Sequence, residues 1–444
     1  MNKYLNKSGI IFILFLFSMT CFGQTAIDYY NQGLEKDSLK DFNGAIQDYN
    51  KAIELKPDYA EAYTNRGLAK SKLSDFKGAI QDYDKAVELN PDYAIAYHNR
   101  GNSKYNLGDY SGAIQDYNKA IKLKPDDAVS FNNRGNSKYN LGDNKGAIQD
   151  YNKAIELNPD YAEAYNNRGF AKNNLDDHSG AIIDLNKAIE LKPNFTAAYN
   201  NRGSAKNGLS DFNGAILDFN KAIELKPDYA DAYNNRGIAK NELGDYNGAV
   251  QDYNKAIELK PEFADAYYNR GLVKAKLSDF KGAIQDYDKA IELKPDYAMA
   301  YHNRGNSKYN LGDLIGAIQD YNKAIKLKPD DEVAYNNRGN SKYNLGDNRG
   351  AIQDYSKAIE LKPGDAGYYY NRGLAKNTLT DYSGAILDFN KAIELDPEYA
   401  GYYFNRGDAK NKLGDINGAC LDWSKAGELG DTRAYDLIRE HCNK

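Results

Sequence analysis

Residues 60–93 read AEAYTNRGLAKSKLSDFKGAIQDYDKAVELNPDY, and the proline near their end, Pro91, has counterparts every 34 residues along the chain. The eleven prolines stand at 57, 91, 125, 159, 193, 227, 261, 295, 329, 363 and 397, and the 444 residues contain no other. A fixed period of this size marks a repeat array rather than two or three globular domains. A frame opened at Ala26 gives twelve repeats: 26–59, 60–93, 94–127, 128–161, 162–195, 196–229, 230–263, 264–297, 298–331, 332–365, 366–399 and 400–433. Residues 434–444 then form a C-terminal capping helix and tail. Positions within a repeat are numbered 1–34.

Each repeat reads as two helices. Apolar or small residues fall at positions 1, 3, 4, 8, 10 and 14, as in Ala60, Ala62, Tyr63, Gly67, Ala69 and Leu73, and again at 17, 20, 21, 24, 27, 28 and 30. Both sets follow helical spacing, not strand alternation. Position 16 is Asp in all twelve repeats, Asp41 through Asp415, where the second helix needs an N-cap. The proline ends that helix, and Asp58 with Glu61 is expected to cap the next one as a capping box. Gly at position 8 facing Ala at position 20 lets the two helices approach closely. Gly at position 19, in the first turn of the second helix, costs about 1 kcal/mol of propensity, so a neighbouring helix is expected to press against it.

Composition excludes several function classes. The chain is 41% apolar and 27% charged, with a formal net charge of −5. It lacks the basic excess that general nucleic-acid binding needs. Three Cys and four His exclude a disulfide-dense scaffold and a multi-His metal cluster. No phosphate-binding glycine loop, His-Glu-x2-His or Cys-x2-Cys motif is present. His98 and His302 both occupy position 5, so they duplicate one site rather than forming two parts of one. No catalytic residue, metal or cofactor is expected.

The unit resembles the tetratricopeptide repeat. Tyr63, Gly67, Ala79, Tyr83, Ala86 and Pro91 carry the resemblance in the typical copy, and the twelve copies span 408 residues. Position 4 is Tyr or Phe where the family often has Trp, and positions 7 and 11 are Arg and Lys where it often has Leu and Tyr. The resemblance implies an all-α, right-handed superhelical solenoid. Its concave face, built mainly by the first helices, would hold peptides without catalysis. The expected function is a scaffold or adaptor with a protein or peptide partner and no nucleic acid; the alternatives are a glycan- or cell-envelope-binding module and a regulatory arm of an enzyme complex.

Position 6 is Asn in every repeat. Asn65, Asn99, Asn133, Asn167, Asn201, Asn235, Asn269, Asn303, Asn337 and Asn371 form the internal run. In the family's geometry this position faces the groove, and the run resembles the asparagine ladder of the nucleocytoplasmic O-linked sugar transferases. A carboxamide donates and accepts, so the ladder could hold an extended peptide by its backbone, or tie adjacent repeats together. Around it the groove is polar and largely uncharged: Asn102 and Tyr105, Asn136 and Tyr139, Asn306 and Tyr309, Asn340 and Tyr343. Such residues suit adaptable peptide or glycan contacts, or pack the seams. A groove that clamps a terminal carboxylate would need Lys or Arg at positions 2, 5 or 9, which few repeats have. Arg at position 7 (eleven repeats) and Asp at position 23 (all twelve) are expected to pair within a repeat, as Arg202–Asp218 with Lys206 nearby.

Repeats 3 and 9 differ only at Ile95/Met299, Tyr110/Leu314 and Ser111/Ile315. The offset of 204 residues points to a duplicated block, so one groove surface would occur twice. Residues 1–23 read as an export signal: Lys3 and Lys7, the apolar run Ile10–Phe17, and Cys21-Phe22-Gly23 before Gln24. A lipoprotein signal using Cys21 is the alternative. The expected product is periplasmic or secreted, without stable membrane insertion after cleavage. Cys420 and Cys442 would then be its remaining cysteines, either bridged across the last turn or left as two thiols.

Overall fold

The computed structural model describes residues 24–442; the expected export signal lies outside them. The described residues are all-α, with 25 helices arranged as twelve pairs and a final helix. Contacts divide the chain into two compact units, one ending at Asp218 and one beginning at Phe219. Within the units consecutive helices pack on one another, as Ala26–Ser38 does on Phe42–Leu55 and Phe42–Leu55 on Ala60–Lys72.

Local chemistry sets the hairpins. In all twelve repeats the Asp at position 16 accepts the backbone N–H of the Gly at position 19, at 2.9 Å. That bond corrects the expectation for this glycine. An added Cβ would meet the capping carboxylate of its own helix, as at Gly282 against Asp279, and not chiefly a neighbouring helix. Two or three residues beyond the end of each first helix, position 15 lies in the left-handed region, with φ from 61° at Asp176 and Ser278 to 86° at Gly414. Glycine fills this position in six of the twelve repeats and a side chain occupies it in the other six.

The expected Asp58–Glu61 capping box is absent. Tyr59 is the N-cap and offers no side-chain bond. The cap falls one residue later than expected because the helix begins at position 1, three residues past the proline. Where position 34 is itself Asp, at Asp127, Asp331 and Asp365, the side chain does cap.

The core is a chain of small seams. Ala181, Leu185 and Ala188 of one repeat meet Ala198 and Ala205 of the next, all fully buried. Gly at position 8 makes room for the aromatic at position 24: a Cβ on Gly271 would lie 2.7 Å from the Tyr287 ring. Tyr at position 24 is fully or nearly fully buried, as at Tyr83, Tyr117 and Tyr321.

Between the seams runs an ionic clamp. Arg202 grips Asp218 through Nε at 2.9 Å and Nη2 at 2.6 Å, and Lys206 reaches the same carboxylate at 2.8 Å. Asp218 is 5% and Arg202 18% exposed. The remaining nitrogen, Nη1, donates to Asn186 of the preceding repeat at 2.7 Å, and the guanidinium lies over the Tyr199 ring at 5.4 Å. Thus one arginine both closes its own hairpin and reaches the repeat before it. Repeat 1, with nothing before it in the array, has Gln32 there, and Lys36 alone holds Asp48.

The final helix, Arg433–His441, lays Ala434, Leu437 and Ile438 over Trp423 and Ala426. Cys420 and Cys442 are joined in a disulfide, Cα–Cα 5.8 Å. Arg433 stands over the Phe404 ring at 4.3 Å.

Candidate peptide-binding face

The asparagines at position 6 lie on the first helices, half-buried, and their amide groups turn toward the repeat before them. Asn133 donates to Asn102 at 3.0 Å, Asn167 to Asn132 and Asn136 at 3.0 and 3.1 Å, and Asn201 to Asn166 at 3.0 Å. In the second unit Asn269 donates to Asn234, Asn303 to the Tyr268 hydroxyl, Asn337 to Asn306 and Asn371 to Asn336, all at 3.0–3.1 Å. Asn65 reaches the Tyr30 hydroxyl at 2.8 Å, and Asn235 accepts from Asn234 at 3.3 Å. At Asn99 the partner position holds Thr64, whose hydroxyl instead returns to its own Ala60 carbonyl at 2.9 Å. The ladder is therefore bonded from repeat to repeat. The residue that receives it is the Tyr or Asn at position 5 in most pairs, and Asn102 or Asn306 at position 9 for Asn133 and Asn337.

Position 9 is built differently. Asn102 Oδ1 accepts both the Tyr117 hydroxyl at 2.7 Å and the Asn133 amide. Asn136 Oδ1 accepts Tyr151 at 2.8 Å together with Asn167. Asn306 repeats the pattern with Tyr321 and Asn337, and Asn340 accepts Tyr355 at 2.8 Å. Burial pushes the pKa of all four phenols up, so they stay protonated donors. Leu stands at position 9 in four repeats, and in two of them, at Leu34 and Leu272, the hydroxyls of Tyr49 and Tyr287 have no partner.

Beside these nodes lie two open clefts, one in each unit. Asn102, Tyr105, Asn106, Tyr117, Asn133 and Asn136 line the first, of about 320 Å³. Asn306, Tyr309, Asn310, Tyr321, Asn337 and Asn340 line the second, of about 290 Å³. The rings at position 12 are half-buried and tied to the next repeat: Tyr105 accepts from Asn140 and Tyr309 from Asn344. Tyr139 likewise meets Asn174, and Tyr343 meets Thr378.

A third cleft, of about 360 Å³, is lined by residues that include Ile95, His98, Asn99, Lys124, Asp127 and Val129. His98 Nδ1 lies 2.6 Å from the Ser130 hydroxyl, which donates to Asp127. Burial lowers the His98 pKa, with Asp127 opposing, so its neutral form is favoured. Ser130 is fully buried and both its contacts are internal, so the trio joins repeats 3 and 4 and offers no exposed nucleophile. Among the described residues no group of three or more His, Cys, Asp or Glu is placed to hold a metal ion.

The signal for this face in the sequence is the string Asn-Arg-Gly-Asn-Ser-Lys-Tyr-Asn-Leu-Gly-Asp, which occurs at 99–109, 133–143, 303–313 and 337–347. Two features escaped sequence reading: the buried tyrosines that fix the position-9 carboxamides, and the apolar residues at position 2 of the same repeats.

Paired helices on a 34-residue period define a helical-repeat protein. In pair after pair the glycine of position 8 packs on the side chain of position 24, and the alanine of position 20 is fully buried in all twelve. Family models described as TPR repeat match residues 29–74, 101–142, 135–176, 209–244, 239–278, 305–346, 339–377 and 380–427. Models described as tetratricopeptide repeat match 60–93, 264–297, 82–115 and 162–195. The chain belongs to the tetratricopeptide repeat family. No curated protein matches it. Among solved structures it is similar to the APC/C hetero-tetramer Cut9–Hcn1, at 15% identity and TM-score 0.47, covering 98% of this chain and 99% of that one. It is also similar to yeast Tom70, at 20% identity, TM-score 0.39 and 93% of each chain. YrrB, titled a TPR protein with an unusual peptide-binding site, matches at 27% identity and TM-score 0.36, covering 41% of this chain and 95% of that one.

Proposed function

We propose that this chain is an exported, non-catalytic scaffold that binds extended polypeptide along the face of its first helices. The observation that carries the reading is the uncharged Tyr/Asn face of repeats 3–4 and 9–10, with its two clefts. The cations of these helices are already committed: Arg100 and Lys104 to Asp116, Arg134 and Lys138 to Asp150. Such a surface suits neutral hydrogen-bonding ligands better than a terminal carboxylate. The leader sequence supports export, and the Cys420–Cys442 disulfide suits an oxidising compartment.

A second reading, a glycan- or envelope-binding module, is favoured by the same mixture of tyrosine edges and carboxamides. To separate the two, the mature full chain is immobilised and challenged with a pool of blocked, uncharged ten-residue peptides and, separately, with soluble envelope glycans. Retention of peptide, little changed between low and high salt, is expected. Retention of glycan with no peptide would overturn the proposal in favour of the second reading.

A further inference from the structure

The position-9 asparagines are oriented by the protein itself. In Asn102, Asn136 and Asn306 both lone-pair directions of Oδ1 are taken, one by a buried tyrosine hydroxyl and one by the ladder asparagine of the next repeat. A carboxamide whose oxygen is held from within has its NH2 group turned the other way. These residues line the clefts. Asn306 spends one N–H on a long contact of 3.4 Å to Asn303, which leaves its second. The clefts thus offer fixed amide donors whose own acceptors are used up, Asn102 and Asn136 in the first and Asn306 in the second, and they ask their ligand for carbonyl oxygens.

The same four repeats share a second property. Position 2, at the opening turn of the first helix, is Ile95, Val129, Met299 and Val333, from 40% to 58% exposed. Apart from Ile27, the other repeats place Glu, Asp, Ala or Gly there. Repeats 3–4 and 9–10 therefore combine fixed donors at mid-helix with an exposed aliphatic pair at the helix start. Neighbouring repeats interrupt this surface with charge, at Glu61 and Lys72 before the first copy and at Glu163 after it.

Resting on the peptide-binding reading above, we infer that recognition is confined to these two pairs of repeats. The chain carries two equivalent sites, each taking an uncharged stretch of polypeptide through its backbone carbonyls and one aliphatic side chain. The position-6 ladder serves as support and not as the reader. One chain binds two copies of the same segment. Because the donors are fixed before binding, little ordering cost opposes each contact. A single neutral hydrogen bond adds little net affinity, so each site has to use its two repeats together.

The test is calorimetric titration of the full mature chain with a blocked, uncharged peptide retained from the pool described above. Leucine is the substitution of choice, because Leu68 and Leu272 already occupy position 9 above a buried tyrosine in this fold. Wild type is expected to bind two peptides. The double variant Asn102→Leu/Asn136→Leu is expected to bind one, Asn306→Leu/Asn340→Leu one, and the quadruple variant none. Asn201→Ala/Asn269→Ala is expected to keep two. Circular dichroism and unfolding midpoints establish that each variant is folded. Saturation at one peptide, or at many, or a stoichiometry unmoved in the leucine variants, would overturn the two-site inference and leave the scaffold reading standing. A wild-type chain that retains no peptide from the pool would overturn both.

Discussion

At the scale of single residues, the clamp around each position-23 aspartate concentrates the most charge in the least solvent. Asp218 accepts three cationic donors while almost wholly buried. Its removal would leave Arg202 and Lys206 without their counter-ion inside a seam. Asp218→Ala is expected to cost about 3–5 kcal/mol, seen as lost hydrogen-exchange protection in repeat 6. Unchanged protection would reduce the clamp to a surface ion pair. The pairing was legible in the sequence because positions 7 and 23 fall level in a hairpin that turns near position 15. The reach of Nη1 to Asn186 was not, since it depends on how one repeat leans on the next. Thr380 makes a second residue-scale case. It sits at φ 63°, a conformation that a side chain occupies at a cost of about 1–2 kcal/mol. Glycine removes that strain but loses about 0.5–1 kcal/mol of chain entropy. Thr380→Gly is therefore expected to raise stability by up to about 1.5 kcal/mol, read as a higher unfolding midpoint in urea.

At the scale of the helix pair, two glycines that look alike in sequence do different work. Gly271 makes room for the Tyr287 ring, which is fully buried and cannot retreat. Gly282 makes room for the Asp279 carboxylate, which is exposed and can rotate away at the loss of its cap. Gly271→Ala is expected to cost about 1–3 kcal/mol through overpacking. Gly282→Ala is expected to cost less, because losing a cap worth about 0.5–2 kcal/mol is offset by up to about 1 kcal/mol of helix propensity. Chemical denaturation of the two variants side by side checks the order; a larger loss at Gly282 would contradict it. Sequence periodicity placed both glycines on helices and named the approach at position 8. It misassigned position 19, because a cap that folds back on its own first turn leaves no mark in the spacing of apolar residues. The Asp58–Glu61 box failed for a related reason: the proline fixes where one helix ends, and the next begins three residues on, past the aspartate.

At the scale of the molecule, stability is a sum over seams, each between neighbours in sequence. The disulfide should act only near its own end. Cys442→Ser is expected to speed amide exchange in Arg433–His441 and in repeat 12, while repeats 7–9 keep their protection; loss spread over those repeats would contradict this. The buried tyrosines give the array a common response to alkali. Burial raises their pKa, to about 12 at Tyr83, against about 10 in an unfolded chain. A raised pKa means that their contribution is intact below pH about 10 and is lost as pH climbs toward 12 and beyond. Tyrosinate absorbance from these residues is thus expected to appear with loss of helical signal, not ahead of it. The period of 34 made the architecture legible from the prolines alone, and the duplicated string marked where the surface repeats itself. What the string could not reveal is which carboxamides are spent internally, because that depends on a hydroxyl arriving from another helix. The claim at the centre of this account is that ligand is read by the first helices of repeats 3–4 and 9–10. Hydrogen exchange with and without saturating uncharged peptide tests it most directly. Protection is expected within Ala94–Asn106, Ala128–Asn140, Ala298–Asn310 and Glu332–Asn344. Protection instead on the outward side of the second helices, around the exposed Ile183, Leu217, Leu387 and Leu421, would contradict it.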